Sequence, residues 1–437
     1  MRSPTPDSVA GSEPIHGRTP PGQGLPAATV ACRIAIATAL AIGMLFNLYG
    51  FPGLREFGNH YRIDLDVYRL GGAAFASGAE LYGQMPPTFH GSQLPFTYPP
   101  LAAVVFVPMS WISLATAGVV LTVLTLVALF ATVVLTLRSV GVAPRTTMLW
   151  AAAGATALAL MLEPVRSTLD YGQVNILLMV FVAADILPKK TPWPRGMLIG
   201  LVAALKLTPA VFVLYFLIRK DFRATVTTGL SFLACTAIGF LATRGDSWTY
   251  WTDTLFDSSR IGEPGYPANQ SLTGMLARLG FDPSMRSMLW IAAALLILVP
   301  ATIAMHRAFT AGAPALALCI NALFGLLVSP VSWSHHWVWV VPLLVLLAVH
   351  AHRRRSVGLG VFVAASWALF QIAPHWSLGE GRWSGVGWPL WDQFLASSYV
   401  WWAVAVIVAI AGAGLPPRPR VDRSSAHGDP ADLTTVS

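Results

Sequence analysis

Two aspartates one residue apart, Asp64 and Asp66, lie in the stretch 59–100, the first long polar interruption in a mostly apolar chain. A carboxylate held just outside an apolar span can take the proton of a hydroxyl, so an acid or base is expected here if the chain is an enzyme. The pair also admits a structural reading, because an amphipathic helix is expected over 67–77 and either side chain could cap its start. Lys206 stands inside the apolar run 197–218, next to the break that Pro209 makes. An ionisable group in such a place costs about 3 kcal/mol on insertion scales, and the carbonyls that a proline frees need a polar surrounding. An ammonium there suits a phosphate as a point charge; the plain alternative is a lysine that snorkels or pairs structurally.

Three further groups could act on the same kind of substrate. Arg166, Asp170 and Gln173 share a short polar segment between two apolar runs, and arginine matches phosphate oxygens; Asp170 reads equally well as the counter-ion of Arg166. His335 and His336 stand in SPVSWSHHWVWVVPL. Adjacent residues do not face the same way on a helix, so they do not read as a metal pair. One could donate to a phosphate or sugar while the other packs, or both could belong to an interfacial belt. Asn269, in ANQS, matches a glycosylation acceptor sequon, a weak three-residue pattern. Asp185, close to Lys189 at the end of a run, reads as structural.

The elements that must position these groups are membrane helices. Of 437 residues, 55% are hydrophobic and only 11% charged, against about 25% charged in a soluble domain. The mean hydropathy is +0.61, which makes the chain a polytopic membrane protein. The net charge of +8 comes from short basic clusters between apolar runs, as cytoplasmic loops show under the positive-inside rule, so no nucleic acid is needed to explain it. Cys32, Cys235 and Cys319 each sit in an apolar run without a neighbour, which implies neither disulfides nor a metal site. Residues 1–27 and 416–437 are expected to be disordered cytoplasmic tails flanking a transmembrane catalytic domain over 28–415.

Spans are expected at 28–48, 114–137, 148–162, 176–187, 226–243, 289–304, 315–327, 338–349, 357–372 and 399–415. The run 101–112 is too short to cross and is expected to lie as a partial helix on the outer side. The run 197–218 has basic residues at both ends, so it is expected to enter and return as two short helices. Placing the clusters at 138–145, 189–195, 219–223, 306–307, 352–355 and 418–423 in the cytoplasm gives one consistent threading, with about twelve or thirteen helices. The polar segments 59–100, 163–175, 207–209, 244–285, 329–337 and 373–392 then all fall on the outer face.

No Walker motif and no glycine-rich strand-to-helix turn is present, so a nucleotide site is not expected. An enzyme of this build takes its activated substrate from the bilayer, which points to a lipid-linked donor. At six blocks the chain resembles glycosyltransferase family 87, the polyprenol-phosphate-mannose-dependent mannosyltransferases of actinobacteria with the GT-C membrane fold. The blocks are IDLDVY at 63–68, LPFTYPPLAAVVF at 94–106, EPVRSTLDYGQVNILLM at 163–179, LKLTPA at 205–210, NQS at 269–271 and SPVSWSHHWVWVVPL at 329–343.

The resemblance implies an all-α fold and an alpha-(1,2) transfer of mannose from polyprenyl-phosphate-mannose. The acceptor would be a lipid-anchored mannoside, either a phosphatidylinositol mannoside or lipomannan/lipoarabinomannan, on the outer face of the cell membrane. It places the essential carboxylate at Asp64 and the donor-phosphate-binding groups at Lys206, Arg166, His335 and His336, of which Lys206 and Arg166 are the cationic positions. Asp66, Tyr98, Asp170, Gln173, Asn175, Asn269 and Gln270 are possible substrate contacts. The reaction would invert the anomeric carbon with Asp64 as general base, and neither a metal nor a cofactor is expected. The competing expectation is a lipid-linked sugar flippase, for which an intramembrane lysine and broken helices are equally natural; a glycan polymerase or ligase is a third.

Overall fold

The computed structural model describes residues 26–50, 60–378 and 388–413. The expected tails, and part of the segment 373–392, lie outside the described residues. Among the described residues there is no β-strand, only a single bridge between Asn269 and Trp333, and the rest of the regular structure is helical, as the apolar runs imply.

Among the described residues six helices are long and apolar enough to cross a membrane, and up to eight if two bent pairs each count as one span. The bent pairs are Arg145–Ala159 with Glu163–Tyr171, at 75°, and Leu390–Ala396 with Ser398–Ala413, at 71°. Four shorter apolar helices, among them Pro100–Ser110 and Asn175–Ile186, complete the set. The expected count of about twelve is therefore reached only if every bent pair and every short apolar helix is taken as a membrane element.

The break at Lys206 falls as the sequence implies. Met197–Leu205 ends with Lys206 in an extended conformation, and a 3-10 turn over Thr208–Phe212 leads into Val213–Arg219. Arg195 and Arg219, before and after this run, both lie within electrostatic reach of the Tyr215 hydroxyl. The run thus returns toward the end it left, consistent with two short helices rather than one crossing. Asp185 accepts from the backbone N–H groups of Gly196 and Ile199, at 3.0 and 3.1 Å, and so satisfies amides at the start of Met197–Leu205. Its structural role is as expected, and its partners are these main-chain amides together with the Trp193 indole N–H, at 3.2 Å.

Two of the expected basic clusters meet, since Arg353 donates to the carbonyls of Val140 and Gly141, at 2.6 and 3.1 Å. Among the polar segments, Ile63–Ser77 lies on Pro100–Ser110, and Glu163–Tyr171 lies on the turn Ser334–Trp339. The first contact is close because position 72 is glycine: a Cβ there would come within 2.6 Å of the Phe106 carbonyl oxygen.

Candidate active site

Asp64 is carried by a helix that starts earlier than the periodicity suggested. It runs over Ile63–Ser77 rather than from residue 67, and Arg62 occupies the cap position without a side-chain capping bond. Neither aspartate is the N-cap; both sit in the first turn, where a carboxylate is favoured by the free amides and the helix dipole. Arg62 is 2% exposed. It donates from Nε to the Leu169 carbonyl at 3.2 Å, and from its terminal nitrogens to the His60 and Asn47 carbonyls at 2.8 and 3.1 Å. One buried side chain thereby fixes the start of the Asp64 helix to both the first span and the helix Glu163–Tyr171. The sequence reading passed over it, because an arginine at an apolar border looks like any flanking charge.

Gln173 reaches Asp64 through a glycine turn. Glu163–Tyr171 ends at Gly172, whose φ of +73° is in the left-handed region that favours glycine. A Cβ there would also meet the Cβ atoms of Arg62 and Leu65, each at 2.9 Å. Beyond this turn the Gln173 side chain donates from Nε2 to Asp64 Oδ2 at 2.6 Å. Its Oε1 accepts from Tyr68 at 2.9 Å and from Tyr98 at 3.3 Å, and the two phenols are themselves 2.8 Å apart. The amide is thus held from behind and presents its N–H to the carboxylate. Burial pushes the Asp64 carboxyl up to about 6, while the Gln173 hydrogen bond and the charge of Lys206 pull it down. Such a group is ionised at neutral pH yet basic enough to accept a proton.

Asp64, Tyr98, Gln173, Lys206 and His336 line one cavity of about 340 Å³. Lys206 Nζ donates to Asn175 Oδ1 at 2.9 Å, stands 3.4 Å from His336 Nε2, and lies 5.4 Å from the centre of the Tyr98 ring. Asn175 in turn donates to the His335 carbonyl at 3.0 Å, which also accepts from Thr168 at 2.9 Å. The histidine pair divides its work: His336 faces the cavity, while His335 is buried behind it against Tyr171, ring centres 5.2 Å apart. His335, an expected phosphate ligand, and Asn175, an expected substrate contact, therefore form a second layer that holds Lys206 and the turn carrying His336.

Several expected contacts do not line the cavity. Arg166 belongs to the nine-residue helix Glu163–Tyr171, not to a loop, and it points to the far side, where it donates to the Gln371 carbonyl at 3.1 Å. Asp170, on the same helix, is also absent from the cavity wall. Asp66 turns away from Asp64: it accepts from the Phe89 amide at 2.8 Å and the Tyr61 hydroxyl at 3.2 Å, with Arg69 at 3.7 Å. Its work is to anchor the long polar segment to the helix. Asn269 and Gln270 are fully buried braces. Asn269 accepts from the Ser332 amide at 3.0 Å and donates to the Pro264 carbonyl at 2.9 Å; Gln270 donates to the Ala396 carbonyl at 2.6 Å. They hold the 330–333 wall of the cavity, and a buried Asn269 leaves no room for a glycan on its amide.

Two cavity or support residues had not been singled out. Arg260 lines the cavity from the turn Ser258–Ile261. Glu163 is buried behind the histidine turn, where Ser334 donates to it at 2.7 Å. Its carboxylate inside a recognisable block was a signal that could have marked it.

A carboxylate, a lysine and a histidine line one cavity in a helical membrane protein, an arrangement suited to group transfer. Residues 96–330 match the model of glycosyltransferase family 87, and the chain belongs to that family, whose fold is of GT-C type. It is therefore a glycosyltransferase and a multi-pass membrane protein, and the flippase expectation is set aside. It is 44% identical over 430 residues to a polyprenol-phosphate-mannose-dependent alpha-(1-2)-phosphatidylinositol mannoside mannosyltransferase of Mycolicibacterium smegmatis, covering 94% of this chain and 95% of the relative. A protein of the same name from Mycobacterium tuberculosis H37Rv is 44% identical over 393 residues, covering 87% and 91%. A polyprenol-phosphate-mannose-dependent alpha-(1-2)-phosphatidylinositol pentamannoside mannosyltransferase of M. tuberculosis CDC 1551 is 35% identical over 351 residues, covering 74% and 78%. No solved structure matches the chain.

Proposed function

We propose that the chain transfers mannose from polyprenyl-phosphate-mannose to a mannose 2-hydroxyl of a phosphatidylinositol mannoside, with Asp64 as the general base. The observation that carries this reading is the shared cavity, in which Asp64 stands on the same wall system as Lys206 and His336. The names of the similar proteins supply the donor and the acceptor class, and favour phosphatidylinositol mannosides over lipomannan or lipoarabinomannan. The threading that puts the basic clusters in the cytoplasm under the positive-inside rule supports a site on the non-cytoplasmic face of the cell membrane.

In the proposed step the acceptor oxygen forms a bond to the anomeric carbon as the bond from that carbon to the phosphate oxygen breaks. The bonding pair leaves with the polyprenyl phosphate, and the hydroxyl proton passes to Asp64. Gln173 keeps the carboxylate aimed at the cavity. Lys206 meets the charge that grows on the phosphate, where a fixed positive group acts most strongly on the transition state, and His336 beside it can donate a hydrogen bond to the same oxygens. A polyprenyl phosphate is already a good leaving group, so the chemistry needs neither a metal nor a cofactor.

The test is transfer by purified protein in detergent, with radiolabelled polyprenyl-phosphate-mannose and a panel of phosphatidylinositol mannosides and lipomannan, wild type beside Asp64→Asn. Label on one phosphatidylinositol mannoside with the wild type alone is the expected result. Label on lipomannan alone would move the acceptor, and an active Asp64→Asn protein would remove the base.

A further inference from the structure

We propose that Arg260 grips a phosphodiester oxygen of a lipid substrate in the Asp64 cavity, acting as the second cation beside Lys206. The assignment rests on the glycosyl transfer proposed above and replaces the role that the sequence pattern gave to Arg166.

The cavity needs such a group. A phosphodiester has two free oxygens sharing one negative charge, and Lys206 already spends contacts on Asn175 and His336. Arg260 lines the same cavity. Its side chain is pinned rather than waving: one terminal nitrogen donates to the Tyr82 carbonyl at 3.0 Å. Tyr82 is itself tied into the wall, since its hydroxyl donates to the Tyr98 carbonyl at 2.7 Å and its ring lies 5.4 Å from that of Tyr250. The Tyr98 ring stands over Lys206, so one aromatic frame carries both cations.

What marks Arg260 as a ligand group is its place on the cavity wall. Its Nε is buried without a hydrogen-bond partner among the described residues, as are those of Arg166 and Arg278, but neither of those two lines the cavity. Guanidinium never loses its proton in proteins and presents five donors in a planar fork that fits phosphate oxygens. An arginine pinned on the cavity wall through one terminal nitrogen keeps the rest of that fork for an oxyanion. Asp257 also lines this cavity, but it is exposed and has interactions of its own. Arg166, by contrast, is anchored to Gln371 outside the cavity.

Both lipid substrates carry a phosphodiester, that of the donor and that of the phosphatidylinositol anchor of the acceptor, and the experiment separates them. Initial rates of full-length wild type, Arg260→Gln, Arg260→Lys and Arg166→Gln are measured with donor and acceptor varied in turn, alongside binding of polyprenyl phosphate and of phosphatidylinositol without any transfer. Arg260→Gln is expected to raise one KM tenfold or more and to weaken binding of the matching lipid to the same degree. Arg260→Lys should recover part of both, and Arg166→Gln should change neither KM by more than threefold. A rise in the donor KM assigns the donor phosphate; a rise in the acceptor KM alone assigns the anchor phosphate. Both KM values and both affinities within twofold of wild type overturn the proposal. So does a loss that lysine does not recover and that follows a lower melting temperature. If wild type transfers no sugar, the glycosyl-transfer reading fails, while the two binding measurements still decide whether Arg260 holds a phosphodiester.

Discussion

Two carboxylates, one behind the histidine turn and one on the cavity wall, have opposite surroundings. Glu163 is 4% exposed and receives four donors: Ser167 at 2.6 Å, Ser334 at 2.7 Å, and Trp376 and Tyr399 at 3.0 Å each. Asp64 faces a cavity and receives a single side-chain donor, from Gln173 at 2.6 Å. Three of the four donors fall on Glu163 Oε1 and one on Oε2, so the side chain is fixed from both ends. A carboxylate that is desolvated but sparsely bonded keeps its basicity. The number of donors around a buried acid, more than its burial, therefore separates the group that holds the fold from the group proposed above as the base.

The comparison breaks first at Asp64. Asp64→Asn is nearly isosteric and keeps an oxygen for Gln173, so the protein should insert and melt as wild type does. Transfer should fall by about 100- to 10,000-fold, the usual worth of a positioned base. Initial rates together with a thermal melt in detergent check both halves. Glu163→Ala should do the reverse. It strands four donors and should cost about 3 kcal/mol or more of stability, with activity lost only in step with the melting temperature. A mutant that melts normally yet transfers nothing would place Glu163 in the chemistry.

The pH profile sharpens the contrast. Asp64 must be ionised to accept a proton, and its carboxyl lies at about 6, so kcat/KM should fall as the pH drops through about that value. The Gln173 hydrogen bond favours the charged form, so Gln173→Leu should move this acid limb to higher pH, since losing the donor leaves desolvation less opposed. An unmoved limb with lowered rate would mean that Gln173 only packs. Asp66→Asn, two residues away, should show the smallest effect. It weakens the anchor to Phe89 and Arg69 by about 1 kcal/mol and should leave transfer within about threefold of wild type in the same assay.

What could be read beforehand follows from the kind of signal each feature leaves. Apolar run length alone gives an all-helical membrane fold, and a lysine beside a proline in such a run marks the break at Lys206. Asp64 stood out because charges are scarce in this chain. Side-chain direction leaves no such trace. Arg166 and Gln173 are seven positions apart in one block, yet the helix turns Arg166 away while the Gly172 turn brings Gln173 to Asp64. Asn269 and Gln270 sit in a recognisable block because that block braces the 330–333 wall. Arg260 was lost among the other charges of a long polar stretch, where only a three-dimensional neighbourhood distinguishes one arginine from the next.

The Glu163 cluster also bears on how the protein is made. Its donor Tyr399 lies 236 residues further along the chain, in the last described helix, Ser398–Ala413. A ribosome that feeds helices into the bilayer in chain order delivers the carboxylate early and its tyrosine late. Until then the turn bearing His336 lacks the clamp that ties Glu163 to the final span. A nascent chain stalled before residue 398 would therefore hold Asp64, Lys206 and both histidines without the tyrosine that braces their turn from behind.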